Sequence, residues 1–231
     1  MAAHIVGGAT KDGRSTGPVV VLLHGFGAPS DDLVALQKTI RVPDEVRFVF
    51  PAAPLSLNDE FQGGRAWWML DMEQIAHDIA SGRERDVSAV PQGLTEARTS
   101  LITLLDELEQ QWHISSERII LGGFSQGAML SCDTLLRTER PFAGLILLSG
   151  SLIAKEEWVP LMAKRKGLPV FQSHGTNDPL LSFQTAGTLR DLLKEHGLAL
   201  DWHEFHGGHE IPFFVLERLG KFLQTLLSTD P

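Results

Sequence analysis

A single cysteine, Cys132, is all the thiol chemistry in this 231-residue chain. One cysteine excludes an internal disulfide framework and agrees with a reducing compartment. Its place in a helix-like stretch reads as a small buried packing residue rather than a reactive one. Positive charge is also scarce: 20 Lys plus Arg stand against 29 Asp plus Glu, for a net charge of −9. No basic cluster is longer than Lys164-Arg165-Lys166. Such a surface repels phosphate backbones and anionic bilayers at long range, so nucleic acid is excluded as an expected partner. Long apolar runs are missing too. None approaches the length of a membrane span, and Met1 to Gly17 has neither an apolar core of secretory length nor a small-residue cleavage pattern. The expectation is a cytoplasmic protein with no stable membrane insertion. Internal repeats and low-complexity tracts are absent as well.

What is present is a chain that is 43% hydrophobic, long enough for one well-filled domain and short for two. The reading is a single domain over residues 1–231. Short apolar or β-branched runs alternate with helix-period segments, the pattern of an α/β fold with a mostly parallel central sheet and helices on both faces. The strands expected are Val19 to Leu23, Val46 to Phe50, Ile119 to Phe124, Leu145 to Ser149, Val170 to His174 and Leu200 to Phe205. Most are apolar throughout, as strands buried on both faces should be. Helices are expected at Asp31 to Ile40, Thr95 to Trp112, Gln126 to Arg137, Phe183 to His196 and Pro212 to Leu227. The segment from Ser56 to Gly93 fits neither period and reads as a cap-like insertion, a kind of segment that is usually functional.

Gly123-Phe124-Ser125-Gln126-Gly127 stands between the apolar run Ile119 to Leu121 and a helical stretch. In that context a common pentapeptide becomes a nucleophile elbow, where a serine is held on a sharp strand-to-helix turn. A serine hydroxyl is a poor nucleophile near neutrality and needs a base, which in turn needs an orienting group. Gly175-Thr176-Asn177-Asp178-Pro179 puts Asp178 on a turn after one strand, and His206-Gly207-Gly208-His209-Glu210 puts His209 on a glycine-rich loop after the last. All three candidates fall at C-terminal strand ends, where parallel sheets gather ligand-facing residues. His24-Gly25-Phe26-Gly27 follows the first parallel strand, and the backbone N–H groups of Phe26 and Gln126 are the expected oxyanion donors. His24 reads as a brace for that loop. The triple His203, His206 and His209 does not read as a metal site, because a strand and a Gly-Gly pair replace the helical geometry that would converge two ligands.

The chain resembles the phospholipase/carboxylesterase branch of α/β-hydrolases, which includes acyl-protein thioesterases and small bacterial esterases. The resemblance rests on Leu22-Leu23-His24-Gly25-Phe26-Gly27, Phe50-Pro51-Ala52-Ala53-Pro54, Gly122-Gly123-Phe124-Ser125-Gln126-Gly127-Ala128-Met129, His174-Gly175 with Asp178-Pro179, and Gly207-Gly208-His209-Glu210-Ile211. It implies cofactor-independent hydrolysis of a small-molecule carboxylic ester through an acyl-serine intermediate, with Ser125, Asp178 and His209 as triad. Gly64 to Asp71 resembles the family's variable loop over the active site. From it Trp67, Trp68, Met69 and Leu70 are expected to line an acyl or alcohol channel, with Phe26, Leu180 and Leu181. An acyl thioesterase or lysophospholipase would use the same triad, and a catalytically silent ligand-binding protein would keep only the pocket. Oligomeric state, a homodimer included, is left open.

Overall fold

The computed structural model describes residues 1–8, 17–57, 63–83 and 86–228. In chain order the strands are β1 (Ala3–Gly7), β2 (Val19–Leu23), β3 (Arg47–Pro51), β4 (Leu55–Ser56), β5 (Arg65–Ala66), β6 (Ile119–Phe124), β7 (Gly144–Leu148), β8 (Pro169–Gly175) and β9 (Ala199–Phe205). The helices are α1 (Met72–Ser81), α2 (Leu94–Trp112), α3 (Gln126–Arg137), α4 (Lys155–Met162), α5 (Phe183–Glu195) and α6 (Phe213–Ser228). Seven strands form one sheet in the order β1-β3-β2-β6-β7-β8-β9, parallel except for β1, which runs antiparallel to β3. Strands β4 and β5 form a separate antiparallel pair.

Side chains alternate across a strand, so an all-apolar strand must be covered on both sides. Along β2, Val19, Val21 and Leu23 enter one apolar cluster, shared with residues of α2, α3, α4 and α5. Val20 and Leu22 enter the other, shared with Val215, Leu216, Leu219 and Leu223 of α6. The sheet is thus sandwiched, as the run pattern predicts, and the chain has the α/β-hydrolase architecture. Chain connections leave β2 toward β3 on one side and reach β6 on the other, so the strand order, not the strand direction, reverses between β2 and β6. A crevice at the C-terminal strand ends belongs there. Among the described residues no helix is long and apolar enough to cross a membrane.

Three elements differ from the sequence reading. Asp31 to Ile40 is not an α-helix: it narrows to a 3-10 segment, Val34–Lys38, anchored by buried Leu33 and Ile40 on either side. A segment fixed at two points needs no apolar stripe of several turns. The antiparallel edge strand β1 and the short helix α4, with Pro160 inside it, lie outside the expected elements. Helix α1 lies in the segment from Ser56 to Gly93, part of which falls outside the described residues.

Helix α3 is buried on nearly every side, and its one buried carboxylate explains how it is locked. Asp133 accepts from Arg98 Nη1 of α2 at 2.5 Å, Arg137 Nε at 2.7 Å and Trp158 Nε1 of α4 at 2.8 Å. Arg137 also pairs with Glu157. Removing one partner of a buried charge cluster leaves the others uncompensated. Asp133→Ala should therefore cost about 3 kcal/mol and lower the melting midpoint by on the order of 10 °C, measured by thermal denaturation.

Candidate active site

The site begins where β6 runs out. Ser125 sits at φ 54°, ψ −117°, between the last strand residue and the first helical one. This is a conformation that a non-glycine residue adopts only when its surroundings over-determine it, at a cost of order 1–3 kcal/mol. The surroundings do so. The Ser125 N–H donates to Leu148 O of β7 at 2.9 Å, and its carbonyl accepts from Met129 N–H at 3.1 Å. A Cβ on Gly127 would lie 2.2 Å from Leu23 O, and one on Gly123 would lie 2.6 Å from the same oxygen. The two glycines are what lets helix α3 start in contact with the end of β2.

Asp178 lies on the turn after β8, with its side chain wholly shielded from solvent. One carboxylate oxygen, Oδ1, accepts from the N–H groups of Leu180 at 2.8 Å and Leu181 at 2.9 Å. The other, Oδ2, is 2.7 Å from His209 Nδ1. Burial alone would push the carboxyl up, but the bonds from His174, His209 and the Leu181 amide overcome it and hold Asp178 well below the ordinary carboxylate range. His209 is placed with equal care. Its loop is tied to β7 by Ser149 Oγ, which donates to Glu210 O at 3.2 Å, and to the acid turn by Asn177 N–H on Gly207 O at 3.0 Å. The His209 ring packs against Phe124, with centroids 4.8 Å apart.

Ser125 and His209 open into one cleft of about 340 Å³, lined by Phe26, Leu70, Phe124, Met129, Leu180 and Leu181 among others. Phe26 and Gln126 both border it. Gln126 begins α3, so its amide is one of the donors that have no acceptor within the helix. The loop carrying Phe26 is held in shape from below. Gly27 N–H donates to Arg65 O at 2.9 Å and Arg65 N–H to Ala28 O at 3.0 Å. His24 Nδ1 donates to Gly25 O at 2.8 Å while its Nε2 accepts from Ala53 N–H at 3.1 Å. Burial pushes the His24 imidazole down against the opposing pull of the Gly25 bond, so the ring is a neutral brace.

The variable loop is where the sequence reading needs correction. Trp67 and Trp68 are each only 1% exposed and belong to the apolar core, not to the cleft. Trp67 N–H donates to Gln126 Oε1 at 2.9 Å and its Nε1 to His24 O at 2.9 Å, while Gln126 Nε2 donates to Trp68 O at 2.8 Å. Alternation along an extended segment puts the two rings on opposite sides, but here both sides are protein. Met69 is 59% exposed and borders a neighbouring hollow instead. Of the loop residues expected in the channel only Leu70 reaches it, together with Phe26, Leu180 and Leu181. Met72 and Ile75 of α1, Phe124 and Met129 are further lining residues. Met129 was findable, since it lies one helical turn beyond Ser125. The α1 pair was not, because its helix sits in a segment without a clear period.

The three histidines near the C-terminus face different partners. His203 lies 3.0 Å from Asp201 and against the Phe171 ring, His206 bonds Asn177 at 3.3 Å, and His209 bonds Asp178.

Asp178 binds protons more weakly in the folded chain than in the unfolded one. It therefore stabilises the fold above the unfolded carboxyl range near pH 4, and this contribution is lost as pH falls below that range. Asp178→Asn should flatten the dependence of stability on pH between about pH 5 and pH 2, read from denaturant midpoints at stepped pH.

Comparison with known proteins agrees with this geometry. Residues 9–227 match the model of the Phospholipase/Carboxylesterase family. Acyl-protein thioesterase 1 of Candida albicans is 29% identical over 232 residues, covering 94% of this chain and 95% of that protein. Acyl-protein thioesterase 1 of Cryptococcus neoformans is 34% identical over 172 residues, covering 71% of this chain and 68% of that one. Among solved structures, esterase PE8 superposes with a TM-score of 0.81 at 29% identity, over 98% of this chain and 99% of that one. The Bacillus cereus carboxylesterase shares the fold, with a TM-score of 0.74 at 20% identity over 98% and 94% of the two chains. A family match that spans the strained serine turn, the acid turn and the histidine loop leaves one assignment: the chain belongs to the phospholipase/carboxylesterase family of α/β-hydrolases.

Proposed function

We propose that this chain is a serine carboxylesterase that cleaves carboxylic esters of short to medium acyl chains through an acyl-serine intermediate. The observation that carries the reading is the His209–Asp178 pair, 2.7 Å apart, with His209 opening into the same apolar cleft as a serine held in a strained turn. His209 Nε2 takes the proton from the Ser125 hydroxyl as Oγ attacks the ester carbonyl. Asp178 keeps Nδ1 protonated and stabilises the imidazolium that forms. The oxyanion of the tetrahedral intermediate is met by the backbone N–H groups of Phe26 and Gln126. His209 then protonates the leaving alcohol, and it later activates a water that attacks the acyl carbonyl and returns the proton to Ser125.

The cleft volume of about 340 Å³ lies at the small end of small-molecule sites, roughly 300–1,000 Å³, which favours short and medium acyl groups. A second reading, hydrolysis of thioesters, is favoured by relatives named acyl-protein thioesterase 1. The triad serves both, because the leaving thiol needs no more help than an alcohol. A silent ligand-binding protein is disfavoured by the strain at Ser125, which such a role would not need. The proposed place of action is the cytoplasm.

Reaction with a fluorophosphonate probe should label wild type and not Ser125→Ala, and Ser125→Ala should lose roughly a thousandfold or more of the ester hydrolysis rate. An unlabelled wild type would favour the binding protein. Because Asp178 stays ionised, the acid limb of kcat/KM should be a single protonation, that of His209; a limb with two protonations would contradict the assigned roles. Leu70→Trp should reduce kcat/KM for octanoyl more than for acetyl p-nitrophenyl ester, while Trp68→Ala should lower stability and leave that ratio unchanged.

A further inference from the structure

Two imidazoles meet Asp178 Oδ2. His209 Nδ1 is 2.7 Å from it on the cleft side, and His174 Nε2 is 3.3 Å from it on the interior side. His174 is the penultimate residue of β8, four residues before the acid, and is completely buried. Its ring lies beside Phe183 of α5, with centroids 6.4 Å apart. The same Nε2 is 2.8 Å from Leu181 O. Two acceptors at one ring nitrogen fix the tautomer: Nε2 carries the proton and shares it between the carbonyl and the carboxylate. Nδ1 is left as a buried atom without a hydrogen-bond partner.

Other ionisable groups around this pair are engaged elsewhere. Glu204 of β9 accepts from Trp202, Arg190 of α5 pairs with Asp191, and Glu210 accepts from Gly208 N–H. Asp78 and Arg83 pair with each other beside the acid turn, and Asp32 lies on the far wall of the cleft. His206 bonds Asn177. Among the described residues, His174 and His209 are the side chains that donate to Asp178. A carboxylate oxygen that accepts two N–H bonds offers less charge to each.

We propose that His174 is a positioning residue for the acid–base pair: it holds Asp178 Oδ2 in line with His209 Nδ1 and, by sharing that oxygen, tempers the charge it offers to the Nδ1 proton. The proposal rests on the esterase reading above. Fluorophosphonate labelling of wild type and its own pH profile test that reading separately from the role of His174. In His174→Leu, with the fold checked by circular dichroism, kcat should fall about tenfold with KM little changed. The acid-limb midpoint should move up by about half a pH unit, because an unshared carboxylate favours the imidazolium more strongly. His174→Gln restores an N–H donor near the Nε2 position and should bring the midpoint back toward wild type. A folded His174→Leu whose midpoint is unmoved or shifted to lower pH overturns the proposal, since a merely structural loss lowers the rate at every pH. If His174→Leu does not fold, ¹⁵N spectra of the histidine rings in wild type decide: a neutral, Nε2-protonated His174 while His209 titrates supports it, and an Nδ1-protonated or charged ring overturns it.

Discussion

A buried carboxylate must be surrounded by donors or it will take up a proton, and Asp178 meets that constraint with groups drawn from three places. Its own turn supplies two amides, its own strand supplies His174, and the loop after the neighbouring strand supplies His209. The acid is therefore not a passenger on a flexible turn. Its position is the intersection of β8, the turn beyond it and the loop after β9, and a shift in any of these changes the number of bonds it accepts. Burial strengthens each bond and raises the penalty for losing one.

The serine is governed by a different constraint, close approach of backbones. Helix α3 can begin at the sheet only because Gly123 and Gly127 leave room for Leu23 O. Strand β7 then joins the two halves of the site: Leu148 O receives the Ser125 amide, and the hydroxyl of the next residue holds the loop of His209. Ser149 is itself at φ 46°, so the strand end that links Ser125 with the loop of His209 carries its own backbone strain. The switch in strand order between β2 and β6 decides where this happens, placing the loop of Phe26 directly beside the serine turn.

Much of this was legible in the residues. Apolar strands such as Val19 to Leu23 announce two-sided burial, and Ser125, Asp178 and His209 each follow a strand in the chain, the last of them the half-exposed β9, so their shared edge of the sheet can be inferred from the chain alone. The tryptophans could not be placed in the same way. An aromatic pair in an irregular segment reads equally as pocket wall or core, and what decides it is the side chain of Gln126, 58 residues from Trp68, whose amide bonds the loop backbone at both ends. Long-range polar contacts leave no period in the sequence. For the same reason His174 looked like the final residue of a strand, and the 3-10 turn near Val34 looked like a helix, since a few apolar residues satisfy either template when no packing partner is known.

The Gln126 amide gives the fold an internal division of labour. By fastening the Trp67–Trp68 backbone to the first turn of α3, it makes that stretch part of the chassis, whereas Leu70, Met72 and Ile75 just beyond it border the opening. Exchanges at Met72 and Ile75 accordingly reshape the opening first, while exchanges at Trp67 and Trp68 would loosen the serine turn itself.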